Sequence, residues 1–347
     1  MNQEELEKIA KSLVAKGKGI LAADESENTC KKRFDSVGVE CTQESRREYR
    51  ELLFTTPGAQ DFLSGVILFD ETFWQKTTEQ TFPDYLQAHG IVPGIKVDKG
   101  LVDFQDSPGE KISQGLDGLP ERLAKYYESG ARFAKWRSVI TIGEGIPTDE
   151  CIRANAVVLA GYAKACQDGG IVPIVEPEVL LDGNHTIEKS EEVVTRTFDI
   201  LFKTLQSSNV FLPGVILKTS MVLPGKDSGM TIDHDDVAQR TVRVLHNHVP
   251  HELGGVVFLS GGQTSNDAFI NLNRIAKKGP HPWGVTFSFS RALQDSVLKL
   301  WAKERTNRKG IQDLFHHLLE IVSAASKGGL RESELQTDNF VSHGQDL

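Results

Sequence analysis

The chain is poor in cysteine, carries less positive than negative charge, and has no long apolar run. Its four cysteines (Cys30, Cys41, Cys151, Cys166) show no CxxC spacing, which excludes a dense disulfide framework and leaves reduced thiols, as expected in the cytoplasm. Lys and Arg number 39 against 48 Asp and Glu, a net charge of −9. An acidic surface disfavours nucleic acid and anionic membranes as general partners, so basic residues that bind an anionic substrate must be gathered locally. The opening stretch MNQEELEKIAKSLVAKG is charged and amphipathic, resembling neither a secretory signal nor a membrane span. No G-x-G-x-x-G follows the first apolar run, which counts against a dinucleotide fold.

What the chain does have is a repeating rhythm. Eight short apolar or β-branched runs, each with a glycine at its start, begin at Gly19, Gly65, Gly94, Gly130, Gly170, Gly214, Gly255 and Gly284. Their starts lie 29 to 46 residues apart, room enough for a crossover helix between parallel strands. Apolar residues recur at helical spacing over 43–54, 119–129, 148–167, 188–206, 233–248, 266–277 and 291–304, and over 3–16 at the N-terminus. Between the second and third runs only FPDYLQAHG offers a weak helix. Alternating strands and helices of this number predict a closed (β/α)8 TIM barrel, one domain over 1–326 with an N-terminal helix. The polar segment 327–347 reads as a flexible arm able to fold over the barrel mouth.

In such a barrel the chemistry belongs at the C-terminal ends of the strands. Here those ends read Asp24, Asp70 with Glu71, Asp98 with Lys99, Lys135 with Arg137, Glu176 with Glu178, Lys218, Ser260, and Ser288 running to Arg291. Lys218 ends the apolar run FLPGVILKTS, where a buried amine that gives up its proton can attack a ketone as a nucleophile. The plainer alternative is a lysine that ends a strand and reaches solvent. Residues two apart on a strand share a face, so Lys135 points with Arg137, and Glu176 with Glu178. On neighbouring strands these lie beside Lys218, where Lys135 disfavours a second ammonium and Glu176 can move protons as a carbinolamine loses water.

Two anion sites flank this group. Ser260, Gly261 and Gly262 offer a hydroxyl and unencumbered N–H groups after the seventh strand, with Arg291 after the eighth. Ser26, Thr29 and Arg33 after the first strand, with Lys99 after the third, form the second candidate. An amine nucleophile between two anion sites suggests a sugar bisphosphate as the small-molecule partner.

The runs GKGILAADES, GIKVDKG, ARFAKWR, IVPIVEPE, GVILK, FLSGGQ and FSFSRALQ resemble the class I (Schiff-base) fructose-1,6-bisphosphate aldolases, collinearly from Gly17 to Trp301. The resemblance implies Lys218 as the Schiff-base lysine, Glu176 as its acid and base, and Asp24 as acceptor of the C4 hydroxyl proton. It implies Lys135 as a positioning lysine beside Arg137 and Glu178. Ser260, Gly261 and Arg291 fall on the C1-phosphate side, and Ser26, Arg33 and Lys99 on the C6-phosphate side. Gly262, Ser288 and Thr29 join the phosphate set by position. No cofactor and no metal are implied, and a homo-oligomer, a tetramer in many members, is expected by resemblance alone.

Three departures stand out: Thr219 where proline commonly follows the lysine, Ser290 where glycine or alanine precedes the arginine, and a final GQDL in place of a terminal tyrosine. Competing readings are a metal-dependent aldolase using His246, His248 and His251, a transaldolase with one phosphate anchor, and a non-catalytic scaffold. Residues two apart on a helix diverge, which weakens the histidine set. The two anion sites disfavour a transaldolase, and a scaffold would have lost a catalytic position.

Overall fold

The computed structural model describes residues 2–105 and 107–335. Ten strands occur among these residues: β1 (Gly19–Ala23), β2 (Leu63–Leu68), β3 (Val92–Lys96), β4 (Leu101–Asp103), β5 (Lys111–Ser113), β6 (Phe133–Ile140), β7 (Val172–Val179), β8 (Ile216–Thr219), β9 (Gly255–Phe258) and β10 (Val285–Phe289). Eight of them close a barrel in the order β1-β2-β3-β6-β7-β8-β9-β10, every neighbouring pair parallel. The fold is the expected (β/α)8 barrel. The remaining two strands form an antiparallel hairpin after β3, which the apolar pattern did not announce because all three residues of β4 are exposed.

Twelve α-helices accompany the strands among the described residues: α1 (Gln3–Leu13), α2 (Glu27–Asp35), α3 (Gln43–Phe54), α4 (Asp70–Phe73), α5 (Phe82–Ala88), α6 (Leu119–Glu128), α7 (Asp149–Asp168), α8 (Ile187–Ser207), α9 (His234–His248), α10 (Ser265–Lys277), α11 (Arg291–Lys303) and α12 (Arg308–Ser326). The helices read from periodicity fall within two residues of these bounds, apart from α1, which ends at Leu13 and not at residue 16. Side-chain caps explain the sharp starts: Thr148, Thr186 and Thr264 each accept an N–H from the residue three positions on. The crossover from β2 to β3 uses only the short α4 and α5. Three helices are absent from the sequence expectations, one being α4, a single turn too short to show a period. α2 is too polar for a stripe, burying only Cys30 and Phe34, whereas α12 carries a legible one in Ile311, Phe315, Leu318, Leu319 and Val322.

The hydrophobic interior has two parts. The larger lies between the strands' outer faces and the helices; the smaller plugs the lower barrel with Ile20, Ala22, Ile67, Phe133, Val172, Ile174, Ile216 and Val257. Helix α1 closes that end by laying Leu6, Ala10, Leu13 and, just past its C-terminus, Val14 against the plug. Close approach explains two of the run-opening glycines. A Cβ on Gly255 or Gly284 would sit 2.6 Å from a Val14 methyl, nearer than van der Waals contact permits.

Of the segment read as an arm, residues 327–335 pack on the barrel's flank: Leu330 and Leu335 are buried, Leu330 N–H donates to Asn273 Oδ1 at 3.1 Å, and Glu332 pairs with Arg274. The rest of that segment, 336–347, lies outside the described residues.

Candidate active site

Strand register decides which side chains meet. Arg137 on β6 lies opposite Glu176 on β7, and Lys96 on β3 lies opposite Lys135 on β6. Alternation along each strand then turns Lys96, Lys135, Arg137, Glu176, Glu178 and Lys218 into one cavity at the C-terminal end of the barrel, with Asp24 from the loop after β1. The cavity has a volume of about 1020 Å³.

Its floor is a continuous chain of charges. Lys218 Nζ lies 3.1 Å from Glu176 Oε1, Glu176 Oε2 lies 3.2 Å from Lys135 Nζ, and Lys135 Nζ lies 2.6 Å from Asp24 Oδ2. All four residues are buried, Lys218 to 4% exposure. Apart from its ion pair with Lys135, Glu176 Oε2 makes no hydrogen bond among the described residues, so a lone pair remains for a substrate proton. Burial pushes the Asp24 carboxyl up, but the charges of Lys135 and Lys218 outweigh it and hold the group down at about 2. Glu176 is likewise opposed by burial and held below the ordinary carboxylate range by Lys135, Lys218 and Arg137. Lys135 is opposed by burial and raised by Asp24 and Glu176. It therefore stays an ammonium, binding both carboxylates.

The surrounding wall repeats this pairing. Arg137 Nε donates to Glu178, and Lys96 Nζ to Asp98 at 2.7 Å. Asp24, Asp98, Glu176 and Glu178 thus balance Lys96, Lys135, Arg137 and Lys218. Charge left over for an anion sits at the rim, where Lys32, Lys99 and Arg291 line the cavity, are exposed, and have no ion pair among the described residues. Gly262 adopts φ +92° and its missing Cβ leaves the Arg291 guanidinium about 3.7 Å away. Ser260 and Gly261 line the same side, and the buried Ser288 hydroxyl, also on the cavity wall, has no hydrogen-bond partner among the described residues. An orphaned hydroxyl, glycine backbone and an unpaired guanidinium together make an anion cradle.

The opposite rim carries the second candidate set, with Lys99 among its lining. Ser26, Thr29 and Arg33 line it, the two hydroxyls 3.2 Å apart and the arginine ion-paired. Its guanidinium donates to Glu25 and, at 3.0 Å, to Asp295. Glu25 also receives the Ser290 hydroxyl at 2.6 Å, so the departure at position 290 clamps that carboxylate. Thr219, the other departure, is buried and donates to the Ser220 carbonyl.

The histidines of the metal alternative part company: His246 Nε2 meets His281 Nδ1 at 2.9 Å, whereas His248 Nδ1 meets Asp199 at 2.7 Å. No group of three or more His, Cys, Asp or Glu suited to a metal occurs among the described residues.

The family profile for class I fructose-bisphosphate aldolase matches residues 5–344. The chain belongs to the class I fructose-bisphosphate aldolase family. A probable class 1 fructose-bisphosphate aldolase of Xanthomonas axonopodis pv. citri is 52% identical over 307 residues, covering 88% of this chain and 92% of that protein. Fructose-bisphosphate aldolase 4, described as cytosolic, of Arabidopsis thaliana is 50% identical, covering 91% of this chain and 81% of that one. The structure of the Plasmodium falciparum aldolase, solved with TRAP and a small-molecule inhibitor, superposes with a TM-score of 0.93 at 48% identity, over 95% of this chain and 96% of that one. The enzyme is therefore a lyase of this family, and the resemblance read from the sequence motifs holds across the chain.

Among the cavity residues that the sequence does not single out, three bear on the site's charge. Lys96 joins Lys99 in the cavity lining because its register places it opposite Lys135. Lys32 was hidden because α2 was not read as a helix. Glu25, adjacent to Asp24, gave no signal of its own; only the convergence of Arg33, Ser290 and Gln294 on its carboxylate reveals it.

Proposed function

We propose that this family member cleaves fructose 1,6-bisphosphate reversibly through an imine on Lys218. The observation that carries the proposal is the buried contact of Lys218 with Glu176, itself joined through Lys135 to Asp24. Glu176 takes the lysine proton, freeing the amine to attack the C2 carbonyl, and returns a proton as the carbinolamine loses water. The imine withdraws electrons from C3, so breaking the C3–C4 bond leaves an enamine while Asp24 accepts the C4 hydroxyl proton. Asp24 is held ionised by Lys135, as a base requires. Glyceraldehyde 3-phosphate leaves first; protonation and hydrolysis of the enamine then release dihydroxyacetone phosphate.

In this reading Ser260, Gly261, Gly262, Ser288 and Arg291 hold the C1 phosphate, and Ser26, Thr29, Lys99 and Lys32 the C6 phosphate. Lys96 belongs with Lys135 on the substrate-facing wall, and Arg33 acts by fixing Glu25. Two anchored phosphates hold C2 and C4 in register with the amine and the base. Sedoheptulose 1,7-bisphosphate offers the same two anchors and is an additional substrate in this reading.

We read residues 1–326 as one catalytic domain followed by the segment 327–347, in a cytoplasmic homo-oligomer, a tetramer by family resemblance. The cytosolic Arabidopsis relative and four free cysteines support the location. No helix among the described residues is long and apolar enough to cross a membrane. The exposed Val157 and Leu116 offer an apolar surface to a second copy, and sedimentation velocity measures the assembly.

The deciding experiment is borohydride reduction in the presence of dihydroxyacetone phosphate and EDTA, followed by intact mass and peptide mapping. A stable adduct on Lys218 is expected. Activity that vanishes in EDTA with no adduct would overturn the mechanism.

A further inference from the structure

We infer that Gln263 is a positioning residue for the reaction, holding the Ser260–Gly262 loop through a one-way chain of hydrogen bonds that begins at His234. The inference rests on reading that loop as the C1-phosphate cradle. Gln263 is outside the cavity lining, so it acts on substrate only through the loop.

The chain can be followed atom by atom. Gln263 donates its backbone N–H to the Ser260 carbonyl at 3.0 Å and its side-chain Nε2 to the same oxygen at 3.0 Å. Between them the turn passes through Gly261 at φ +58° and Gly262 at φ +92°, left-handed conformations that place little restraint of their own on the loop. Gln263 Oε1 accepts from Asn271 Nδ2 at 2.7 Å, and Asn271 Oδ1 lies 2.8 Å from His234 Nδ1. The far nitrogen of His234 faces Asp267 Oδ1 at 3.7 Å, and Thr264 donates to the other oxygen of Asp267. Gln263 and Asn271 are buried, so no solvent replaces a lost link.

A backbone carbonyl can only accept, and that fixes every other member. Because Ser260 O accepts, Gln263 must present its NH2 there and its oxygen to Asn271. Asn271 must then present its NH2 to Gln263 and its oxygen to His234, which must carry its proton on Nδ1. Reversing any one amide leaves two acceptors or two donors facing each other in a buried site. The helix starts at α9 and α10 are thereby tied to the orientation of the phosphate loop.

Two substitutions at His234 separate this role from a merely structural one. His234→Asn places an NH2 where Nδ1 stands and preserves the chain, whereas His234→Asp places an acceptor there. Aspartate in the first turn of α9 favours the helix, so a role in helix stability alone would rank Asp above Asn. The chain ranks them the other way. The KM for fructose 1,6-bisphosphate should stay within about twofold of the parent in His234→Asn and rise about fivefold in His234→Asp, the size of one mispaired buried hydrogen bond. In both variants kcat should change less than KM, and competitive inhibition by inorganic phosphate should weaken in step with KM. Gln263→Leu should raise KM about tenfold by removing one of the two donors to Ser260 O and leaving Asn271 Nδ2 unpaired.

Arg291→Ala is the control for the cradle itself. If it leaves KM and phosphate inhibition unchanged, the cradle reading fails and this inference with it. If Arg291→Ala raises KM while His234→Asp and Gln263→Leu do not, the cradle stands and the role of Gln263 is overturned. A Gln263→Leu chain that does not fold leaves the His234 pair to decide.

Discussion

The two ends of the barrel interior are equally buried and chemically opposite. At the lower end Phe133, Ile174 and Ile216 meet α1 through apolar contact alone; a turn of strand higher, Lys135, Glu176 and Lys218 stand on the same three strands at comparable exposure. The lower layer costs nothing in desolvated charge. The upper layer carries a heavy desolvation cost, offset only because each charge has an opposite neighbour within about 3 Å. The lower end therefore holds the fold and the upper end the chemistry, and substitutions at the two ends should separate stability from rate.

The largest effect is expected from Lys218→Met, which is apolar and similar in length. Cleavage should fall by more than about 10⁴-fold, as when a covalent nucleophile is removed, with no adduct trapped by borohydride and an unchanged circular dichroism spectrum. Glu176→Gln keeps the shape but cannot accept the lysine proton; kcat should fall by about 10²–10⁴-fold, the usual worth of a placed acid–base group, as read by steady-state cleavage. The lower end should answer in the opposite sense. Gly284→Ala drives a methyl to 2.6 Å from a Val14 methyl and 2.7 Å from its carbonyl oxygen. It should cost about 1–3 kcal/mol in denaturant unfolding, the range for overpacking, with kcat per folded molecule unchanged. A fall in kcat without a fall in stability would break the division between the ends.

A smaller and reversible test uses pH. The Asp24 carboxyl is depressed from 3.8 to about 2 in the folded chain. A depressed carboxyl contributes stability that is fully present above its unfolded value and is lost as pH falls through its folded one. Asp24 should therefore contribute about 2 kcal/mol above pH ~4, declining toward pH ~2. Comparing the parent with Asp24→Asn by urea unfolding between these limits should show a shallower acid slope in the variant; equal slopes would place the pairing with Lys135 in doubt.

Much of this was open to reading in the one-dimensional chain. Apolar runs opening on glycine and separated by helical stretches announce eight strands, and GVILK and IVPIVEPE set charged groups at their ends. The misses share a cause. Adding Lys96 to Lys99 needed the pairing of β3 with β6, which sets Lys96 opposite Lys135. The pairing of Arg33 with Asp295 joins residues 262 apart in sequence, so it could not be read from the chain. The exposed hairpin of β4 and β5 left no alternating pattern. α12 was legible and went unread, whereas α2 was not legible.

Sequence alone determined the alternation of elements, the closed barrel it requires, and the presence of Lys218, Glu176 and Asp24 on or just after three of its strands, because periodicity and connection length are local properties of the chain. Tertiary structure decided which charges are paired and which remain for substrate, why Gly255 and Gly284 bear no side chain, and how Gln263 meets the loop it holds. Those facts depend on distances between residues far apart in sequence, and such distances exist only once the barrel has closed.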